Sequence, residues 1–123
     1  MTRGEIKKAE LEELIKAYSE AAKIQGESTE NGDYKTGNKA SDLLSAIYAE
    51  LKRRGHDAQA ALLPLLHNDD PGIRLWAASH AMEFSPSEGK PVLKALIPIG
   101  KFLGLCAKTT LSEWKKGNLK FSK

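Results

Sequence analysis

The chain has 123 residues, of which 41% are hydrophobic and 28% are charged, so it can form one domain with a core and is not a disordered chain. No apolar run approaches the ~20 residues that a membrane span needs, and the N-terminus lacks the apolar core of a signal peptide. The single cysteine, Cys106, excludes an internal disulfide. We therefore expect a cytoplasmic protein with no membrane partner.

The net charge of +3 is distributed unevenly along the chain. Acidic side chains predominate in residues 1–33 and basic ones in residues 68–123. The basic part is rich in lysine but contains one arginine, Arg74, and no tyrosine. This composition is not typical of a dedicated nucleic-acid surface, and the simplest interpretation is a set of solvated helix faces.

The first half of the chain predicts two helices. Residues 4–25 place apolar side chains three and four positions apart, which indicates an amphipathic helix. Residues 26–38 contain three glycines and several turn-forming side chains, and they predict a flexible loop. The second helix begins between Asp33 and Ser41 and ends before Gly55.

The second half predicts four shorter helices. A third helix covers the apolar run 58–66, and Pro64 within it predicts a kink or a shortened helix. Asp70 and Pro71 have the residue types that cap and begin a fourth helix, which ends near residue 84. Two further helices are expected over 85–97 and 101–116, and Cys106 lies in the apolar stripe of the last, where we expect it to be buried.

Residues 118–123 form a basic tail. No segment alternates with the two-residue period of a strand. The sequence therefore predicts a single all-α domain over residues 1–123, with about six helices. Because the predicted loops after residue 55 are short, successive helices should stack antiparallel.

The fourth helix is apolar on two sides, which is typical of a helix packed between neighbours. Only a narrow strip of it, formed by Ser79 and Glu83 and flanked by Trp76 and His80, is expected to face water. Since His80 lies near the buried arc of the helix, we expect it to be a core or edge histidine. Tryptophan is enriched in binding hot spots, so this strip is a candidate partner-binding surface. The alternative, that Trp76 packs between helices as ordinary core, remains open.

Residues 62–84 resemble a HEAT repeat, in which a hydrophobic helix precedes an Asp-Pro turn, a Val/Ile-Arg pair and an Ala-Ala pair. The positions that carry the resemblance are Asp70, Pro71, Ile73, Arg74, Ala77 and Ala78. The resemblance implies a short HEAT-like α-solenoid. In such a repeat the arginine ties the turn between helices, so we expect Arg74 to reach back to Asp69 or Asp70.

A wider resemblance covers most of the chain, from the Gly32-Asp33 and Asn38 positions through residues 50–55 to the final Trp114 and Gly117. This order is similar to small bacterial HEAT-like domains of unknown function that are associated with polymorphic toxin systems as candidate immunity proteins. The resemblance implies a cytoplasmic protein that binds and blocks a delivered toxin, often a nuclease. It brings no catalytic residues and no defined contact motif.

The residues provide little sign of an enzyme. His67 with Asp70, and His80 with Glu83, have one-turn spacing, but two ligands do not make a zinc site. The glycines at 26, 32 and 37 lack the strand-then-helix context of a phosphate loop. We expect no catalytic residues, no cofactor and no metal.

The leading hypothesis is a non-catalytic, monomeric or weakly dimeric protein-binding module that inactivates a toxin domain. Glu13 and Glu20 belong to an acidic N-terminal region that would suit a basic nuclease. A general interaction scaffold is the first alternative. A less favoured one is nucleic-acid binding through the lysines of the C-terminal half, which are Lys90, Lys94, Lys101, Lys108, Lys115 and Lys116.

Overall fold

A computed structural model describes residues 1–119 of the chain. Within them are seven α-helices and no strand. The helices are α1 (Arg3–Lys8), α2 (Leu11–Asn31), α3 (Tyr34–Arg54), α4 (His56–Ala60), α5 (Pro71–Phe84), α6 (Pro86–Leu96) and α7 (Lys101–Lys115). The all-α prediction is confirmed, although the helices differ in number and bounds from the expected six.

The prediction of a flexible loop at residues 26–38 is wrong, because helices α2 and α3 occupy almost all of this range. Only Gly32 and Asp33 separate the two helices. Gly32 ends α2 in the left-handed conformation at φ +80°, and the Asp33 carboxylate accepts a hydrogen bond from the Thr36 N–H to cap α3. The two long helices therefore form a hairpin with a short turn.

The predicted first helix is divided at Ala9 and Glu10 into α1 and α2. The loose end of α1 is held by Arg54, whose Nη2 donates to the carbonyl oxygens of Ala9 and Lys7 at 2.7 and 3.2 Å. Glu50, which is buried, orients this arginine by accepting from its Nε at 2.7 Å. Hydrogen bonds from Arg53, and then from Arg54, lower the pKa of Glu50 to about 2.

The third predicted helix is shortened, as Pro64 predicted. Helix α4 ends at Ala60, and residues Leu63–His67 form a 3₁₀ turn. The turn that follows is also as expected: the Asp70 carboxylate caps α5 at the Ile73 N–H. Arg74 does reach back across the turn, but it donates to the backbone carbonyls of Asn68 and Asp69 rather than to a carboxylate.

Helix α5 is the centre of the domain and packs against α2, α6 and α7. Glycines allow two of these approaches. Gly26 of α2 lies against Gly72 of α5, where an added Cβ on Gly26 would stand 3.4 Å from the Gly72 Cα. A Cβ on Gly89 of α6 would stand only 2.7 Å from the carbonyl oxygen of Ala78. These close contacts fix how α5 is held between its neighbours.

A single apolar cluster extends through all seven helices and is built mainly from leucine, isoleucine, alanine and tyrosine side chains. The HEAT-like solenoid arrangement stays a prediction. None of the helices in residues 1–119 is long and apolar enough to span a bilayer. Most of the predicted basic tail, residues 120–123, lies outside the described part of the chain.

Candidate functional site

His80 is buried, with 2% of its surface exposed, so it does not belong to the water-facing strip, and the expectation of a core histidine is confirmed. Its imidazole stacks on the ring of Tyr48 with 3.9 Å between ring centroids, and its Nδ1 shares a 2.6 Å hydrogen bond with the Tyr18 hydroxyl. Burial lowers the pKa of His80 to about 3, so the ring is neutral at physiological pH. The side chain joins α2, α3 and α5 in the core.

Glu83 is exposed, as predicted, and it extends this network toward α3. Its carboxylate accepts from the Tyr48 hydroxyl at 2.5 Å and from the Lys52 Nζ at 3.0 Å. The amide of Gln59 donates to the same tyrosine oxygen at 3.0 Å. Burial, and then the bond to Glu83, raise the pKa of Tyr48 well above its usual range. These contacts indicate a structural role, since they join α3, α4 and α5.

Trp76 and Ser79 lie on the same face of α5 as Glu83, nearer the start of the helix, and both line an open groove. The Trp76 indole is half-buried, and its Nε1 donates to the Gln25 side-chain oxygen of α2 at 3.0 Å. The indole is thus fixed by a hydrogen bond and by its packing near His80, with 5.8 Å between ring centroids. Trp76 therefore packs on the core and also lines the groove, and its role in partner binding stays a prediction.

The groove has a volume of about 690 Å³ and lies between α2 and α7, with α5 as its floor. Residues 23–30 of α2 form one wall, and residues 99–110 form the other. Such a volume lies within the ~300–1,000 Å³ of typical ligand pockets, although this one is open to solvent along its length. Its two walls face each other because α2 and α7 both pack against α5.

The floor and the α7 wall of the groove are apolar. Phe102 is 54% exposed and Ile99 is 47% exposed, and both line the groove. The other apolar lining side chains are Pro71, Leu75, Trp76, Leu103 and Cys106. Exposed large apolar side chains that cluster in a concavity, rather than singly, are typical of an interaction surface.

The α2 wall carries most of the charge. Glu27 and Glu30 are exposed there, and Asp70 adds a third carboxylate at the start of α5. Two ammonium groups, those of Lys23 and Lys101, also line the groove. The lining therefore has an excess of negative charge, and this charge is concentrated on α2.

Glu13 and Glu20, the other two predicted binding residues, are exposed on α2 outside the groove. Glu13 accepts a hydrogen bond from the Glu10 N–H and so helps to begin the helix. Glu20 lies seven residues before Glu27, which places both on one face of α2. The structure thus brings Trp76 and Ser79 together in the lining of the groove, and leaves Glu83 and Glu20 about one helical turn beyond the lining residues of α5 and α2. A partner-binding role for these residues stays a prediction.

Sequence reasoning missed the two walls of the groove. The sequence predicts a loop from residue 26 onward, which covers most of the α2 wall, and it predicts a buried Cys106, whereas Cys106 is exposed and lines the groove. Partial burial raises the pKa of its thiol, which makes it a poor nucleophile at neutral pH. One feature of the sequence does point to an exposed apolar surface on α7. Phe102 and Leu105 make this helix apolar on more sides than the core can cover.

The described residues, 1–119, contain no group of three or more His, Cys, Asp or Glu side chains that could hold a metal ion. His80 and Glu83 point to different partners, and the Asp70 carboxylate caps a helix. The site that remains is a shaped, mainly apolar surface with a charged rim. Such a surface is suited to binding another molecule, and no arrangement of general acid, base and nucleophile is evident among its lining residues.

Residues 1–119 thus form an all-α domain with a pronounced groove between its first long helix and its last. Residues 12–112 match the family described as Domain of unknown function (DUF2019), and the chain belongs to that family. No curated protein matches it.

A solved structure, the crystal structure of the protein RPA1889 from Rhodopseudomonas palustris CGA009, is similar to the whole domain. It is 22% identical in sequence, the match covers 94% of this chain and 96% of that one, and the TM-score is 0.85. At this level of identity the likeness extends to the fold.

Proposed function

We propose that the domain is a non-catalytic protein-binding module and that the groove between α2 and α7 is its docking surface. The observation that carries the proposal is the exposed apolar lining of the groove, above all Phe102 and Ile99 beside the fixed Trp76. Removing such side chains from water provides the main driving force for association. Rigid aromatic anchors lose little conformational entropy on binding.

A toxin domain is the finer form of this proposal. Its support is the sequence resemblance to candidate immunity proteins, together with the acidic face of α2 beside the groove. A protein that blocks a basic nuclease would need such a face. A general scaffold would use the same groove for a partner that is not toxic.

The test compares two substitutions on one helix. Phe102→Glu places a charge in the groove, whereas Leu105→Glu places the same charge on an equally exposed apolar position outside the groove. Each tagged variant and the wild type are used to purify partners from the native cells. We expect one protein to be retained by the wild type and Leu105→Glu and to be lost with Phe102→Glu.

Purified components then complete the test, with thermal unfolding as the check that both variants are folded. If the wild type and both variants retain the same set of proteins, the proposal is wrong. It is also wrong if Phe102→Glu keeps the partner while Leu105→Glu loses it. Expression of the retained protein without this domain tests the finer form. Growth arrest that the domain relieves supports a toxin partner, and normal growth leaves the general scaffold.

A further inference from the structure

The length and walls of the groove restrict the shape of its occupant. At 1.5 Å per residue, the lining segments Lys23–Glu30, Asp70–Ser79 and Ile99–Thr110 extend for roughly 10 to 17 Å, or two to three helical turns. This is longer than one side chain needs and shorter than an extended interface. A short element of a partner would fill it.

The groove also restricts the secondary structure of that element. Its floor and walls are formed mainly by helices, whose backbone N–H and C=O groups bond within each helix. An extended segment would find few backbone partners there and would bury its own polar groups unpaired. A helix satisfies its backbone internally and can place apolar side chains at i, i+3, i+4 and i+7 into such a groove.

The charges orient the occupant. On the α2 wall, Glu27, Glu30 and Lys23 line the groove. Glu20 lies on the same face of α2, seven residues before Glu27. On the opposite wall the charged lining residue is Lys101. A helix with lysine or arginine on the flank toward α2 would complement the first wall, and an acidic flank would be repelled by it.

We propose that the groove binds an amphipathic helix of about three turns, with its apolar face against Trp76 and Phe102 and a basic flank against Glu27 and Glu30. This inference rests on the proposed function and adds the shape and charge of the bound element. Electrostatic contacts at such a rim contribute to specificity more than to affinity.

The experiment is a selection from a displayed library of random 16-residue peptides on the wild-type protein. We expect enriched peptides to carry apolar residues with helical spacing and an excess of Lys and Arg. Their binding should be lost with Phe102→Glu and kept with Leu105→Glu. On Glu27→Lys combined with Glu30→Lys, we expect the same peptides to bind about three- to thirtyfold more weakly.

A matched control separates local from overall charge. Glu12→Lys combined with Asp42→Lys changes the net charge equally at exposed positions outside the groove, and it should leave peptide binding within about twofold of the wild type. Enriched peptides without helical spacing, without a basic excess, or equally weakened by the control pair would overturn the inference, as would a failure to enrich any peptide.

The two proposals fail in different ways. If selected peptides need Phe102 but are extended or acidic, the helix inference is wrong and the docking groove stands. If the native cells yield no protein that depends on Phe102, the proposed function is wrong whatever the library yields.

Discussion

The Tyr18 hydroxyl and Nδ1 of His80 are joined by a 2.6 Å hydrogen bond between two buried side chains that are 62 positions apart in sequence. The bond connects the middle of α2 to the second half of α5. The same imidazole stacks on Tyr48 of α3 and lies near the Trp76 indole. One neutral histidine thus helps to hold the helices from which the groove is built.

The neutral state of His80 predicts how stability depends on pH. The unfolded chain protonates this ring near its ordinary pKa of 6.5, whereas in the folded protein the pKa is about 3. Between these values the unfolded state binds more protons, so the free energy of unfolding falls as the pH is lowered below about 6.5. The slope should approach at most about 1.4 kcal/mol per pH unit.

Urea unfolding at several pH values between 5 and 7.5 measures this slope. Glu50 contributes its own loss only as the pH falls below its ordinary value of 4.5 toward 2, so the chosen range isolates the histidine. His80→Gln should be less stable than the wild type at pH 7.5 but should lose most of the slope. A wild-type protein with constant stability across the range would show that His80 is not held neutral.

Tyr48→Phe should destabilise the fold by about 1–3 kcal/mol, because it removes the hydroxyl that donates to Glu83 and accepts from Gln59. Tyr34→Phe provides the control, since Tyr34 is 74% exposed and should change stability by less than about 0.5 kcal/mol. Thermal or urea unfolding compares the two. Equal effects would mean that the bonds of the Tyr48 hydroxyl contribute nothing to stability.

Gly89→Ala should destabilise the protein even though alanine is the better helix former. The added Cβ would meet the Ala78 carbonyl at 2.7 Å and the Met82 sulfur at 3.2 Å, and relieving such contacts costs about 1–3 kcal/mol. The gain in helix propensity recovers at most about 1 kcal/mol.

Gly4→Ala, in the exposed α1, is the matched control for this overpacking. A Cβ there has only the Thr2 hydroxyl within 4 Å, so the substitution should be neutral or stabilising. Calorimetric unfolding of both variants shows whether each substitution raises or lowers the stability of the fold. A stabilised Gly89→Ala would contradict the close α5–α6 approach.

Arg54→Met should release α1 while leaving the rest of the core intact. The substitution removes the donors to three carbonyl oxygens at the end of α1, while Arg53 still donates to Glu50 at 2.9 and 2.6 Å. Hydrogen exchange should accelerate in residues 3–9 and remain slow in the α5 core. Arg53→Met, at a mainly exposed side chain, should accelerate it less. The reverse order would show that Arg54 does not hold α1.

The turn before α5 was predictable because its determinants are local. Asp70 and Pro71 adjoin the helix they begin, and the Asp70 carboxylate needs only the Ile73 N–H three residues away. Pro64 likewise shortened its helix through a steric effect on its own backbone. Such features depend on a few neighbouring residues and not on the rest of the fold.

The two long helices were bounded wrongly because glycine has two uses. Gly26 and Gly37 were interpreted as turn residues, yet both lie within helices at close contacts, Gly26 against Gly72 and Gly37 against Ser28. A helical glycine that permits close packing looks the same in sequence as one in a loop. Only the positions of α3 and α5 in the folded protein show which of the two uses each glycine has.

The groove could not be predicted for a related reason. Phe102 and Cys106 lie on an apolar helix face, and the sequence does not tell whether α2 covers that face or stands across a gap from it. The position of His80 on α5, at the edge of the predicted strip and near the buried arc, allows both a wet and a buried environment. The buried one depends on Tyr18 and Tyr48, which are distant in sequence.

The central claim is that the groove between α2 and α7 binds a protein partner. The most direct measurement is the dissociation constant of the purified partner for the wild type, Phe102→Glu and Leu105→Glu under identical conditions. We predict at least a tenfold weakening with Phe102→Glu and a change of less than threefold with Leu105→Glu. Equal affinities for all three proteins, or a larger loss with Leu105→Glu, would contradict the claim.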